Sequence, residues 1–211
     1  MKKNTLESYV ILSTLIFALF FSGCLSISSS PASRFYTLHT LSKDEAVEKS
    51  EFSSSIVIGI GPVKIPDYLN RPQIVTRDKS QMLKFAEFDR WGEGLSAGIL
   101  RLINENLSAM LPQASIERFP WNLLLPVKYQ VIVDVIQLEC RLDEDVYLLV
   151  QWSMLDLVDK HMVMTRRSEF RQPIRQKNYE GLADALSSAC AGLSREIAAE
   201  LAIVAGKEEK E

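Results

Sequence analysis

Histidine and cysteine are scarce in this chain, which has two histidines and three cysteines among 211 residues. His39 and His161 lie far apart, and the cysteines have none of the short spacings that metal sites use. Glycine-rich turns are missing too, because Gly59 and Gly61 are followed by Pro62, where a dinucleotide-binding turn needs the start of a helix. The sequence therefore predicts neither a metal nor a cofactor.

Basic stripes and long apolar segments are also absent. The formal net charge is −3, and no cluster of lysines and arginines marks a nucleic-acid-binding face. The apolar run from Tyr9 to Phe21 has about 13 residues, fewer than the ~20 that a helix needs to span a bilayer. Because Lys2 and Lys3 precede this run, it predicts a secretory signal peptide that is removed.

The signal peptide ends in the stretch Phe21-Ser22-Gly23-Cys24, which resembles a bacterial lipobox, with phenylalanine where an aliphatic residue is usual. The resemblance implies that residues 1–23 are removed and that Cys24 is lipidated. This lipid is the only group that the sequence predicts to be attached to the chain. The alternative is an ordinary signal peptide with a chance cysteine. Leu25 in place of aspartate resembles an outer-membrane sorting signal. A multiply acylated cysteine is a stable membrane anchor.

Residues 24–33 are rich in serine and are expected to form a flexible tether, because this composition cannot bury a core. Residues 34–206 are long enough for one domain with its own core. The charged residues 207–211 are expected to form a tail.

The order of apolar patterns predicts a mixed α/β fold. Steps of three and four residues predict amphipathic helices at 95–110 and 179–204. In the stretch 128–141 both faces are apolar, which predicts a central strand. Strand-like patterns occur at 34–40, 55–61, 73–77, 81–88, 114–118, 128–141, 146–159 and 161–171. We expect one domain with a mixed, mostly antiparallel β-sheet packed by two long amphipathic helices.

Two cysteines remain once Cys24 is assigned to the anchor. Cys140 lies at the end of a strand pattern, and Cys190 lies on the apolar side of the last helix pattern. An oxidising periplasm would permit a disulfide between them, but two separately buried thiols fit the pattern as well.

The stretch Gly94–Gly98 matches the Gly-x-Ser-x-Gly pattern of a hydrolase nucleophile, with Ser96 at its centre. Such a nucleophile needs a strand that leads directly into a sharp turn, whereas the strand pattern ends several residues earlier. The candidate partners Asp134, Asp156 and His161 lie inside strand patterns. Ser96 is therefore expected in the first turn of a helix, and a serine hydrolase is only a remote alternative; we expect no enzyme.

Three prolines restrict the backbone between residues 58 and 77 and favour extended conformations before them. A stiff segment binds a partner at a low entropic cost. The residues that it would present are Asp67, Tyr68, Leu69 and Arg71. In the alternative interpretation, Tyr68 and Leu69 fold back as a lid on the core.

Several stretches in order resemble the auxiliary lipoproteins of ABC-type transporters, which include the paraquat-inducible lipoproteins that accompany mammalian-cell-entry (MCE) proteins. The matching stretches are the lipobox, RFYTL at 34–38, GIGPVKIPDYLNRPQIVTR at 59–77, RWGEGL at 90–95 and NENL at 104–107. The resemblance implies a mixed α/β domain without catalytic residues. It also implies an anchor in the outer membrane, a periplasmic location and docking to an MCE-domain protein that moves lipids between two membranes.

On this basis the partner-binding residues are expected to be Asp67, Tyr68, Leu69 and Arg71, together with Arg90 and Trp91. Arg90 and Trp91 would alternatively form a structural cation–π pair. Ring-like self-association is a further expectation, because a conduit needs closed symmetry.

A lipid carrier with its own apolar cavity is the main alternative. A carrier needs a pocket of ~300 Å³ or more. The large residues Tyr147, Trp152, Met154 and Phe170 would instead fill the space between sheet and helices.

Overall fold

The protein is described by a computed structural model, which covers residues 31–41 and 56–208. The predicted signal peptide, Cys24 and most of the tether lie outside the described residues. The described residues from Ser33 onward form one compact unit.

Within the described ranges the chain forms eight strands and two α-helices, so the predicted α/β class and both helices are confirmed. The strands are β1 (Arg34–Tyr36), β2 (Val57–Lys64), β3 (Gln73–Arg77), β4 (Leu83–Trp91), β5 (Ser115–Arg118), β6 (Val127–Cys140), β7 (Asp145–Asp156) and β8 (His161–Pro173). The helices are α1 (Leu95–Met110) and α2 (Tyr179–Glu208), and a short 3-10 helix covers Asp67–Leu69.

The described strands form two mixed sheets instead of the one sheet that the sequence suggested. The larger sheet has the order β5-β2-β6-β7-β8, with β6 central as predicted, and the smaller sheet has the order β1-β4-β3. Strand β2 is parallel to both β5 and β6, whereas β6, β7 and β8 form an antiparallel meander. The hairpin β3–β4 pairs with β1, which runs parallel to β4.

Helices α1 and α2 pack against each other and against one face of the five-stranded sheet. This inner face is apolar at alternate positions, because successive side chains of a strand point to opposite faces. A register shift between Val135 and Gln137 moves the buried positions of β6 from odd to even numbers. Fully buried residues on this face include Ile58, Ile60, Val131, Val133, Trp152 and Met154.

Two polar links cross this core. The indole Nε1 of Trp152 donates to Ser168 Oγ at 3.1 Å, and Ser168 Oγ donates to Glu196 Oε2 at 2.5 Å, which joins β7 and β8 to α2. Asn106 on α1 accepts the Leu41 N–H at 3.0 Å and donates to Ser194 Oγ on α2 at 3.3 Å. Each link satisfies polar atoms that would be costly to bury alone.

Cys140 on β6 and Cys190 on α2 are both free and buried. In the structure the two thiols are therefore buried separately, as in the second interpretation of the sequence. Burial raises the pKa of each thiol to about 12.

Candidate functional site

The proline segment, residues 61–72, connects the two sheets. It begins with a cis peptide bond between Gly61 and Pro62, and Gly61 has a φ of 109°, a conformation that favours glycine. A Cβ on Gly61 would lie 2.9 Å from the Cβ of Phe119. The Gly61 carbonyl accepts a hydrogen bond from Gln130 Nε2 at 2.9 Å, which holds the segment to β6.

The middle of the proline segment is held by its own backbone. The Leu69 N–H donates to the Pro66 carbonyl at 2.9 Å, and the Arg71 N–H donates to the Leu69 carbonyl at 2.8 Å. At the far end the Trp91 N–H donates to the Pro72 carbonyl at 2.7 Å. The segment is thus fastened at both ends, as the three prolines suggested.

Tyr68 and Leu69 point towards the core, as in the lid interpretation. Leu69 is only 3% exposed, and the half-buried Tyr68 donates its hydroxyl to the Leu138 carbonyl at 3.2 Å. Burial raises the pKa of the Tyr68 hydroxyl. Of the four residues predicted to be presented by this segment, Asp67 and Arg71 are exposed.

Arg71 forms an exposed patch with an aromatic residue that sequence reasoning missed. The guanidinium carbon lies 4.2 Å from the ring centroid of Phe85, and that ring is 48% exposed. Phe85 belongs to β4 and was read as part of an apolar strand. The Phe85 ring restricts the long arginine side chain, so the cation is presented at a defined place. We call Asp67, Arg71 and Phe85 the arginine patch.

Arg90 and Trp91 do not form the predicted cation–π pair among the described contacts. They are consecutive residues of β4, and successive side chains of a strand point to opposite faces. Trp91 is 7% exposed and belongs to the core, so it offers little surface to a partner. Arg90 is half-buried, and its Nε has no hydrogen-bond partner.

Ser96 is the second residue of α1 and is partly exposed. Strand β4 continues to Trp91, further than the sequence suggested, so only three residues separate it from the helix. The carboxylate of Asp156 is engaged by the N–H groups of Val158 and Asp159, and His161 is exposed at the start of β8. In the described part of the chain, no hydrogen bond joins Ser96 to an acid or a histidine.

A second exposed element, missed by the sequence reasoning, connects β5 to β6. We call residues 119–126 the leucine loop. Because β5 and β6 lie on either side of β2 and parallel to it, this loop must cross the outer face of β2. Leu123 and Leu124 are 94% and 90% exposed. The run FPWNLLLP, with prolines at both ends of an apolar stretch, was the signal that could have revealed it.

The residues considered for a carrier cavity lie in different places. Trp152 and Met154 are fully buried. The Phe170 ring packs against Gly192, where an added Cβ would lie 2.8 Å from the ring. Tyr147 lies instead on the outer face, where its ring is 4.8 Å from the guanidinium carbon of Arg171. The alternation along β7 puts Tyr147 opposite the core.

Two clefts open on the surface. One of about 400 Å³ lies between the end of β8 and the first turns of α2, and includes Arg175, Gln176 and Asp184. The other, of about 420 Å³, lies between the β3–β4 and β6–β7 turns and includes Arg77, Lys84 and Glu144. Both are rich in charged or amide side chains, unlike the apolar cavity that a carrier would need.

Metal-binding clusters and membrane-spanning helices are absent from residues 31–41 and 56–208. No group of three or more histidine, cysteine, aspartate or glutamate side chains there could hold a metal ion. Neither helix combines the length and apolar character needed to cross a membrane.

Comparison with known proteins gives a match over most of the domain. Residues 36–198 match the family described as ABC-type transport auxiliary lipoprotein component. No curated protein matches the chain.

Two solved structures share the fold. An uncharacterised protein is 18% identical, with a TM-score of 0.66 over 81% of this chain and 99% of its own. Protein XCC0632 from Xanthomonas campestris, of the DUF330 family, is 12% identical, with a TM-score of 0.65 over 84% of this chain and 99% of its own.

Proposed function

Because this chain belongs to the ABC-type transport auxiliary lipoprotein family, we propose that it is a non-catalytic component of a lipid transport system that links the inner and outer membranes. In this role Cys24 carries the lipid that anchors the protein to the periplasmic face of the outer membrane. The folded domain then docks an MCE-domain protein of the same system. The family match over residues 36–198 is the observation that carries the proposal.

The arginine patch is the surface that we assign to the docked protein. Asp67 and Arg71 are exposed and carry opposite charges, and Phe85 adds an exposed aromatic ring beside Arg71. Aromatic and arginine side chains contribute strongly to protein–protein interfaces. The fastened backbone of the proline segment keeps the ordering cost of binding low.

Co-purification from detergent-solubilised envelopes tests this role. The wild-type lipoprotein is compared with an Asp67→Ala/Arg71→Ala variant, and bound proteins and lipids are identified by mass spectrometry. We expect the wild type to recover an MCE-domain protein and the variant to recover at least about tenfold less, which corresponds to ~1.4 kcal/mol.

A Glu180→Ala/Arg195→Ala variant is the matched control, because it also removes one negative and one positive charge, here from exposed positions of α2. It should recover the partner as the wild type does, and circular dichroism should show that both variants are folded. Recovery of lipid with no protein partner would contradict the docking role and favour the carrier alternative. Light scattering on the same preparation measures self-association, which a ring around a transport path requires.

A further inference from the structure

The leucine loop displays apolar side chains that the fold could have buried. Leu123 and Leu124 are 94% and 90% exposed, and neighbouring Phe119 is 41% exposed. Single exposed hydrophobic residues are common, but two adjacent leucines at full exposure form a patch that indicates a contact. The docking role assigned to the arginine patch does not use them.

The loop is held in the conformation that exposes these leucines. Trp121 lies against Gly59 on the outer face of β2, and its ring packs edge to face on Phe119 at a centroid distance of 5.5 Å. Asn122 Oδ1 accepts the Leu124 N–H at 2.9 Å, and the Asn122 carbonyl accepts the Leu125 N–H at 3.0 Å. The aromatic base and the turn thus direct two leucines outwards.

Further exposed apolar residues occur at the same end of the five-stranded sheet. The Leu157 N–H donates to the Lys128 carbonyl at 2.8 Å, which places the β7–β8 turn beside the start of β6, where the leucine loop ends. Val158 in this turn is 66% exposed, and Met162 at the start of β8 is 59% exposed. The leucines are therefore the most prominent part of a wider apolar end.

The side chains of the loop fit the interface of a lipid layer. Residues 118–133 include Arg118 and Lys128 and no aspartate or glutamate, but Glu117 precedes them, Asp159 lies in the adjacent β7–β8 turn and Lys128 has a partner of its own. Exposed leucines with tryptophan and phenylalanine at their base are typical of segments that enter the interface of a bilayer. A protruding pair of leucines also needs no shaped pocket in a lipid layer.

We propose that the leucine loop inserts Leu123 and Leu124 into the membrane that holds the lipid anchor, as a second contact with that membrane. This inference rests on the anchor at Cys24 in the proposed function. A weak insertion suffices, because a tethered loop meets the bilayer at a high effective concentration.

The tether is long enough for both contacts. Residues 24–33 span at most ~35 Å when extended. The tether joins β1 near the start of α2, where the rings of Tyr36 and Tyr179 are 6.3 Å apart, whereas the leucine loop lies towards the other end of α2. The 21 residue steps from Tyr179 to Glu200 cover ~32 Å of helix. Because ~35 Å exceeds this length, the anchor and the leucine loop can reach the same membrane.

Depth-dependent fluorescence of the full lipidated chain tests the insertion. A Leu124→Cys variant is labelled with an environment-sensitive fluorophore and reconstituted in vesicles of phosphatidylethanolamine and phosphatidylglycerol. Cys140 and Cys190 are buried, so the introduced thiol is the one that reacts. Met82→Cys is the matched control, because Met82 is 61% exposed in the turn between β3 and β4.

We expect the label at position 124 to shift its emission to the blue and to be quenched by lipids that carry a nitroxide on the acyl chain. The label at position 82 should show neither effect. A second change, Leu123→Asn, should reduce the quenching at position 124 severalfold.

A label at position 124 that stays in water on vesicle-bound protein would overturn the insertion. Shielding of the label only after an MCE-domain protein is added would also overturn it, in favour of a protein contact. Vesicle flotation tests the lipid anchor separately. A chain that does not float with the vesicles would contradict the anchor of the proposed function, not the insertion of the loop. In that case the labelled chain with Cys24→Ser is titrated with the same vesicles to about millimolar lipid, which replaces the effective concentration that the tether would supply, and an absence of quenching there overturns the insertion.

Discussion

At the scale of single residues, Gly59 makes room for the indole of Trp121. A Cβ on Gly59 would lie 2.6 Å from two atoms of the Trp121 ring, which is too close for a real contact. We expect Gly59→Ala to lower the free energy of unfolding by about 1–3 kcal/mol, since the side chain or the strand must shift. Thermal unfolding measures the loss, and a red shift of tryptophan emission reports release of the loop.

Gly206→Ala is the control for this change, because nothing lies within 4 Å of a Cβ added at Gly206. Alanine has the higher helix propensity, so this variant should be as stable as the wild type or slightly more stable. If the Gly59→Ala variant were as stable as the wild type, the packing of the Trp121 indole would not require a glycine at position 59.

The two buried thiols give a second prediction at this scale. Burial raises the pKa of Cys140 and Cys190 to about 12, whereas only the thiolate reacts readily with a thiol reagent. At pH 8 we expect neither thiol to react in the folded protein and both to react in denaturant. The count of modified cysteines by mass spectrometry checks this.

The raised pKa values also imply a pH dependence of stability. In the unfolded chain these thiols ionise near pH 8.5, while in the folded chain they stay protonated up to about pH 12. Their contribution to stability is therefore fully present below the unfolded pKa and is lost as the pH rises towards 12. Fast modification at pH 8 without denaturant would contradict both statements.

At the scale of elements, Asn106 joins α1 to two other parts of the fold. Its side chain is 1% exposed, accepts the Leu41 N–H and donates to Ser194 on α2. In an Asn106→Ala variant the Leu41 N–H loses its partner. We expect the free energy of unfolding to fall by about 1–3 kcal/mol, measured by urea titration.

Asn104→Ala provides the comparison, because Asn104 is half-buried and makes one hydrogen bond of 3.3 Å to the Ile116 carbonyl. Its loss should cost less than that of Asn106. If the two variants lost the same stability, the Leu41–Asn106–Ser194 link would have no special role in holding the helices.

The two helices and the long strands could be predicted from the sequence, because their patterns repeat over many residues. Helix α1 ends at Met110 as the pattern indicated, and β6 is central because both of its faces carry apolar residues. Strand pairing could not be predicted in this way. The union of β1 with the β3–β4 hairpin depends on contacts between residues more than 50 positions apart, such as Arg34 with Asp89.

The candidate sites were predicted only in part, for the same reason. The sequence indicated a stiff proline segment, but burial of Leu69 and Trp91 depends on which face of a small sheet meets the core. The exposure of Leu123 follows from the crossing of β2 by the leucine loop, which no local pattern contains. Apolar residues in a sequence predict a core unless the topology places them outside it.

At the scale of the whole molecule, the proposed function makes the location of the protein depend on Cys24. Cys24→Ser would remove the thiol that is proposed to carry the lipid, and an acylated cysteine gives far stronger membrane attachment than two inserted leucines. We expect the variant to move from the outer-membrane fraction to the soluble periplasmic fraction, as measured by fractionation and immunoblotting. Retention in the membrane fraction after a high-salt wash would contradict the lipid anchor.

Strand β1 also determines how the domain responds to a pull on its tether. It has three residues and is held to β4 by its backbone pairing and by Arg34 and Tyr36, whose side chains both bind the Asp89 carboxylate. In the proposed role, a force from the membrane would reach this strand before any other element of the described fold. Detachment of residues 34–41 would lengthen the tether by about 25 Å and leave the five-stranded sheet intact. Under tension we therefore expect the short strand β1 to detach before the rest of the domain unfolds.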